Sequence, residues 1–321
     1  MELFKINHDI PFMSWGKITT TISLVTFIVA VCSLIYQGLN LSVEFTGGTV
    51  MEVKYEQPIE AAAAREALKN VEGGRIQAQA LSAKELLLRL PNSAETEAKA
   101  NAKERDEAAA MKSNQIMAAL QQSRPDAQIS SVHFIGPQVG KELLTNGILA
   151  LTFVILGMVL YLSMRFEWRF AVSAIIANMH DVTIILGCFS LFQWEFSLTV
   201  LAGVLAVLGY SVNESVVVFD RIRENFRKPS MRQFTVPEII DNAITRTMSR
   251  TVITHGSTEV MVLSMLIFGG PALHGFSVAL TIGILFGIYS SVMVASPLLL
   301  MFGLNRHNLV RVEKKKEEIV V

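Results

Sequence analysis

Charge is scarce in this sequence. Asp, Glu, Lys and Arg make up 17% of its 321 residues while 51% are hydrophobic, a balance that an ordinary soluble domain does not carry. Cysteine is scarcer: Cys32 and Cys188 are the only two, and both fall inside apolar runs, so no disulfide framework is implied. The 28 basic and 28 acidic residues cancel to a formal net charge of zero, and nothing in their pattern points to nucleic acid. The mixed segment at 38–145 has His133 but no cysteine, no metal-ligand spacing and no nucleophile elbow. A mechanical or binding role is simpler there than catalysis.

What the sequence has in quantity is long apolar runs. A spanning helix needs roughly 20 mainly apolar residues, and six segments reach that length: 18–36, 146–164, 170–192, 197–219, 252–270 and 275–303. The stretch before the first run is too long and mixed for a signal peptide, and no small-residue cleavage pattern follows the run, so it is expected to remain a membrane helix. Arg and Lys gather at the two termini, in 164–169 and in 220–250, including Arg165, Arg169, Arg221, Arg223, Arg227 and Lys228. The short loops 193–196 and 270–275 have none, so the basic side and both termini are expected to face the cytoplasm, beside anionic membrane lipid.

The expected division is a cytoplasmic stretch 1–17, a first span 18–37, an exported domain 38–145, five further spans within 146–303 and a basic cytoplasmic tail 304–321. In the exported domain, "VEFTGGTVMEVKYE" alternates apolar and polar positions and predicts a strand with a bulge or bend at Gly47 and Gly48. A helix at 59–70, strands at 75–81 and 85–90, a long helix at 94–122 and a strand at 128–135 follow. That order, β-α-β-β-α-β, is the ferredoxin-like arrangement. The fold class is therefore an α-helical membrane protein with six transmembrane helices and one exported α+β domain. Between the fourth and fifth spans, Thr235-Val-Pro-Glu238 fits a capping box, and Ile239, Ile240, Ala243, Ile244 and Met248 at helical spacing predict an amphipathic helix near 236–248 on the membrane surface.

Polar side chains inside the runs carry the functional signal. A charge at mid-bilayer costs roughly 2.5 kcal/mol or more on insertion scales, so each asks for a partner, a cavity or a task. The third run holds His180 and Asp181, the fourth Asn213 and Glu214, and the fifth His255 and Glu259. Helical spacing puts Tyr210, Ser211, Glu214 and Arg221 on one face, and Thr251, His255 and Glu259 on another. Rows of carboxylates, imidazoles and hydroxyls suit proton movement, because each member accepts a proton and passes it on. Fastening of helices by polar pairs is the structural alternative, and such contacts average under about 1 kcal/mol in membranes. On the sixth run, Gly283, Gly287, Ser290 and Ser291 form a small-residue face for close helix approach.

Seven stretches together resemble the SecD/SecF family of protein-export membrane proteins, within the resistance-nodulation-division superfamily. They are "LNLSVEFTGGTVMEV" after the first run, "FIGPQVGKEL" before the second, "YLSMRFEWRFA", "HDVTIILG", "GYSVNESVVVFDRIRENFRK", "TRTMSRTVIT" and "FGGPALHGFS". The resemblance implies one half of a pseudo-symmetric bundle whose other half is SecD, associated with the SecYEG channel and YajC in the bacterial inner membrane. It also implies action on translocating preproteins, powered by the proton gradient and needing no cofactor. The family's proton path involves an Asn-Asp pair on the fourth span and an arginine entering the fifth, which fall here on Asn213, Glu214 and Arg250. His180 and Asp181 match a His-Asp pair on the third span, while Glu259 matches no family motif. Glutamate stands where aspartate is usual; the reference pKa values are close, about 4.3 against about 3.9, but one more methylene moves the carboxylate and leaves its partner open.

Two other classes compete. Half of a proton-driven exporter of small molecules or lipids would share the bundle, but the exported segment is small and has no aromatic-lined pocket signature. An intramembrane protease using Asp181 and Glu214 as a dyad needs both acids at one depth, and counting along the helices puts Glu214 near the cytoplasmic end and Asp181 near the middle.

Overall fold

A computed structural model describes residues 8–68, 76–91 and 102–306. Among them six helices are long and apolar enough to cross a membrane: Phe12–Tyr36, Pro137–Arg165, Trp168–Leu191, Leu198–Arg227, Val236–Phe268 and Ala272–Met301. Each overlaps one of the apolar runs in the sequence. Most of the basic tail, residues 69–75 and residues 94–101 of the expected long helix lie outside the described residues.

In chain order, helix α1 (Gly16–Tyr36) leads through a short strand β1 (Asn40–Leu41) and one helical turn α2 (Val43–Thr46) into the mixed segment between the first two spans. There β2 (Gly48–Lys54), α3 (Ala61–Leu68), β3 (Gln77–Ser82), β4 (Glu85–Pro91), α4 (Ala102–Ser123) and β5 (Gln128–Ile135) follow. The sheet runs β3-β4-β2-β5, with every neighbouring pair antiparallel. Met51, Val53 and Tyr55 alternate with more exposed neighbours and share a core with Leu86, Leu88, Leu90, Ile116 and Leu120, so one sheet face is covered and the other is not.

The start of this segment differs from the expectation. Val43–Thr46 is helical, and the strand begins only at Gly48. Gly47, at φ 76°, reverses the chain between them, a conformation that a β-branched residue would resist. Phe45 is buried against Phe196, so a long-range contact overrides the local alternation. The bend expected at the glycines is thus present at Gly47, and a further irregularity falls between Glu52 and Val53, in the ladder with β5.

The membrane helices sort by burial. In the most apolar window, 61% of α6 (Trp168–Leu191) is buried, against 17% of α1, 11% of α5 (Pro137–Arg165) and 17% of α8 (Val236–Phe268). Helix α6 is therefore interior, with α7 (Leu198–Arg227) and the final helix, each 50% buried, packed around it. Helices α1, α5 and α8 form the outer wall, turning residues such as Ile22, Val25, Phe153, Leu160, Val260 and Ile267 outward. A short parallel pairing of β1 with β6 (Glu195–Phe196) closes the loop between α6 and α7.

The last span is broken by proline. Helix α9 (Gly270–Ser290) passes through a π turn at Ser291–Ala295 into α10 (Ser296–Met301). Pro297 has no N–H to offer the carbonyl four residues back, on Met293, and that carbonyl accepts instead from the Thr19 hydroxyl of α1 at 3.4 Å. The fifth span is unbroken where two pieces were expected. Thr235 and Glu238 form the capping box, but the helix then runs without interruption to Phe268. Ile239, Ile240, Ala243 and Ile244 join the core that contains Phe12, Ile222 and Phe226, so this apolar face meets protein rather than the membrane surface. The segment before α1 straps it down, since Met13 N–H donates to Asp241 at 2.9 Å and Ile10 N–H to Thr245 Oγ1 at 3.0 Å.

Helices α7 and α9 meet at the small-residue face. A Cβ added at Gly283 would lie 2.2 Å from a methyl of Val207. Gly283→Ala is expected to lower stability by about 1–3 kcal/mol through overpacking, and Val207→Ala in the same chain should recover part of that loss. Unfolding midpoints of the single and double variants in bicelles check this, and equal midpoints for Gly283→Ala and wild type would refute the close packing.

Candidate functional site

The buried acids lie where α6, α7, α8 and α9 converge. Asp181 on α6 is 0% exposed, and its Oδ2 accepts two hydroxyls, Ser211 Oγ from α7 at 2.7 Å and Ser290 Oγ from α9 at 2.7 Å. Its Oδ1 is 3.3 Å from Nδ1 of His180, whose ring stacks on Phe27 of α1. Three helices besides α6 thus touch this one His-Asp pair. A carboxylate buried so completely is tolerated because hydroxyl donors replace the water it has lost.

Glu214 is one turn further along α7 and faces α8. Its Oε1 accepts the Thr251 hydroxyl at 2.5 Å, and its Oε2 is 3.1 Å from Nε2 of His255. Thr251 and His255 are four residues apart, so one face of α8 holds both carboxylate oxygens. Tyr210 packs edge-on against the His255 ring, with centroids 4.7 Å apart, and its hydroxyl donates to Thr258 Oγ1 at 3.3 Å. The imidazole Nδ1 of His255 and Nε2 of His180 are both enclosed without a hydrogen-bond partner among the described residues.

Not every residue singled out in the sequence comes to this centre. Asn213 and Arg250 are both exposed, on the outward sides of α7 and α8. Each is the immediate neighbour of a residue that points inward, Glu214 and Thr251, and about 100° of helical rotation separates adjacent side chains. Within this chain the carboxylate therefore meets Thr251 and His255 rather than Asn213 or Arg250. Glu259 is half-buried with one carboxylate oxygen enclosed and unpaired, and no hydrogen bond joins it to His255 or Glu214 among the described residues. Arg221, at the far end of the expected stripe, pairs with Glu224 at 2.7 Å.

The expected mismatch in depth between the two acids is absent. Ser211 donates to Asp181 and stands three residues from Glu214, so the acids differ by about one helical turn, roughly 4.5 Å of rise. They nonetheless keep separate sets of partners and share no hydrogen bond, which is not the arrangement of two carboxyls holding one proton. Ser290 was legible only as a small packing residue. The signal that finds it is its position on the Gly283-Gly287 face opposite a helix that carries an acid in need of donors.

Among the described residues no group of three or more His, Cys, Asp and Glu could hold a metal ion. The arrangement suits proton exchange instead, with two carboxylates and two imidazoles spread over three adjacent helices and hydroxyls between them.

Comparison with known proteins gives one consistent answer. The C-terminal region described for SecD/SecF protein export membrane proteins matches residues 115–305, and the SecD/SecF GG motif matches residues 33–59. The protein translocase subunit SecF of Vibrio alginolyticus is 39% identical over 98% of this chain and 97% of its own length. That of Escherichia coli O157:H7 is 37% identical over 98% of this chain and 95% of its own. A crystal structure of SecDF, a translocon-associated membrane protein from Thermus thermophilus, superposes with a TM-score of 0.77 at 31% identity, covering 94% of this chain. The chain spans 39% of the length of that SecDF polypeptide.

Removing either hydroxyl from Asp181 should cost about 1 kcal/mol of helix association, and Ser211→Ala with Ser290→Ala should cost less than the sum, because both donate to the same oxygen. Steric-trapping unfolding in bilayer discs measures both; two strictly additive losses would mean that the serines act through packing alone.

Proposed function

The chain belongs to the SecD/SecF family of protein export membrane proteins, and on that premise we propose that it is an auxiliary subunit of the preprotein translocase that couples the proton-motive force to export. It works with SecD as one half of a pseudo-symmetric bundle in the bacterial inner membrane, beside the SecYEG channel and YajC, with both termini in the cytoplasm. The exported segment is a ferredoxin-like domain, a reading supported by its strand order and wholly antiparallel sheet. The protein makes and breaks no covalent bond of its substrate, and the preprotein is cargo.

One observation carries this reading: Glu214 is buried at membrane depth with its two oxygens divided between Thr251 and His255 of a neighbouring helix. Protonation of a carboxylate turns an acceptor-only group into a donor, and protonation of the imidazole turns both its nitrogens into donors. Moving one proton between them therefore rewrites the bonds between α7 and α8. Proton entry and departure therefore bias the two helices toward different arrangements. Asp181 responds in the same way one turn along, through Ser211 and Ser290.

Asn213 and Arg250 fit the same scheme from outside. Both lie on the exposed side of α7 and α8, and a buried partner surface is where an outward arginine at membrane depth finds its counter-charge. We assign that side to SecD, so the two residues act across the subunit interface while Glu214 and His255 act within the chain.

Glu214→Gln keeps size and hydrogen bonding but cannot titrate. In inner-membrane vesicles with both subunits at matched levels, this variant is expected to lose the gradient-dependent part of preprotein export and keep the part that needs no gradient. Unchanged gradient-dependent export in a fully assembled complex would make Glu214 a structural residue.

A further inference from the structure

The extracytoplasmic loop 192–197 joins α6 to α7, the two helices that carry Asp181, Ser211 and Glu214, and it is gripped from the exported side. Glu195 in this loop receives Nη1 of Arg89, which projects from β4 of the exported sheet, in a close ion pair with side chains only 16% and 21% exposed. The same nitrogen of Arg89 donates to Gln79 on β3 at 2.9 Å. The backbone around Glu195 pairs with β1, and Asn40 Nδ2 donates to the Gln193 carbonyl at 3.0 Å. Just beyond the loop, Glu44 of α2 accepts the N–H of Leu198, the first residue of α7, at 2.7 Å.

The packing around the pair is open. A cavity of about 290 Å³ flanks it, with Glu44, Trp194 and His274 among its lining. Sheet and bundle meet here through the ion pair and through packing of β3 against α9, with the cavity between them rather than a filled apolar core. Burial pushes the Glu195 carboxyl up from its ordinary value, Glu44 adds to that, and the Arg89 charge works against both. Arg89 cannot shed its own charge. Pulling the two apart leaves a poorly hydrated cation and anion, so a displacement of the loop drags β4 with it before the pair opens. Strand β4 is in turn paired along its whole length with β2, so the sheet follows as one body.

We propose that Arg89 and Glu195 form a strut that delivers movement of α6 and α7 to the exported sheet, with Arg89 as a positioning residue for the export activity. The proposal rests on the proton-coupling reading above for the source of the movement, while the strut itself is a mechanical connection independent of that source. Glu44 holds the start of α7 to the same frame, so the loop is fixed at both of its ends.

The test uses the assembled complex with SecD and the channel in vesicles. It compares wild type, Arg89→Gln, Glu195→Gln, the exchanged pair Arg89→Glu with Glu195→Arg, and Glu214→Gln. Two readouts are taken: gradient-dependent export, and the distance between spin labels at Gln128 on β5 and Phe192 in the loop, with Cys32 and Cys188 replaced by serine. The strut predicts one narrow distance in wild type, broad distances and loss of gradient-dependent export in both single variants, and recovery of both properties in the exchanged pair. Single variants that keep the narrow distance, or an exchanged pair that stays broad, overturn it. Normal export in Glu214→Gln would instead sink the coupling reading, and the distances would still decide the strut.

Discussion

The interior of this bundle is organised by the cost of burying carboxylates out of reach of water. Asp181 and Glu214 each require donors that the membrane does not supply, and the partners found for them are side chains of neighbouring helices and, for Asp181, the preceding residue His180. That requirement fixes the rotation of α7, because Ser211 must face α6 while Glu214, 300° further round, faces α8. It also fixes the approach of α9, whose Ser290 must come within hydrogen-bond distance of Asp181. The glycine face of α9 makes this approach sterically possible, and the serine makes it polar.

How much of this the sequence carried depends on which force decided each element. The six spans were legible because hydrophobic length is a local property, and β3, β4 and β5 were legible because alternation is local too. The helical turn at Val43–Thr46 was not, since Phe45 is buried by Phe196 more than 150 residues away and only Gly47 hinted at a reversal. The merging of the 236–248 helix with the fifth span was hidden for a related reason. An amphipathic pattern says that one face is apolar, but not whether lipid or protein covers it, and here Phe12, the end of α7 and α10 do.

The candidate site was half legible. Acids and histidines in apolar runs are conspicuous, and the spacing of Thr251 and His255 put them on one face before any partner was known. What spacing does not give is rotation of that face relative to α7. Asn213 stood out as a polar residue in an apolar run and Arg250 was brought forward by resemblance, and their outward position means that within a single chain they are adjacent to the site in sequence and turned away from it in space.

The glutamate at 214 becomes intelligible on these terms. Both of its oxygens are used across the gap to α8, one on a short threonine and one on an imidazole that is held edge-on by Tyr210. An aspartate at this position would begin the same span from one methylene further back, and could keep both contacts only if α8 approached more closely. The longer acid therefore suits a helix spacing set by Thr251, His255 and Tyr210 together. The three form a unit with Glu214, in which acid length and helix separation have to change in step. The unit stands three residues from the serine that binds Asp181, on the helix whose far end is held by Glu44 and the loop before it. Helix α7 is thus the element that joins the surroundings of both acids to the loop gripped by Arg89.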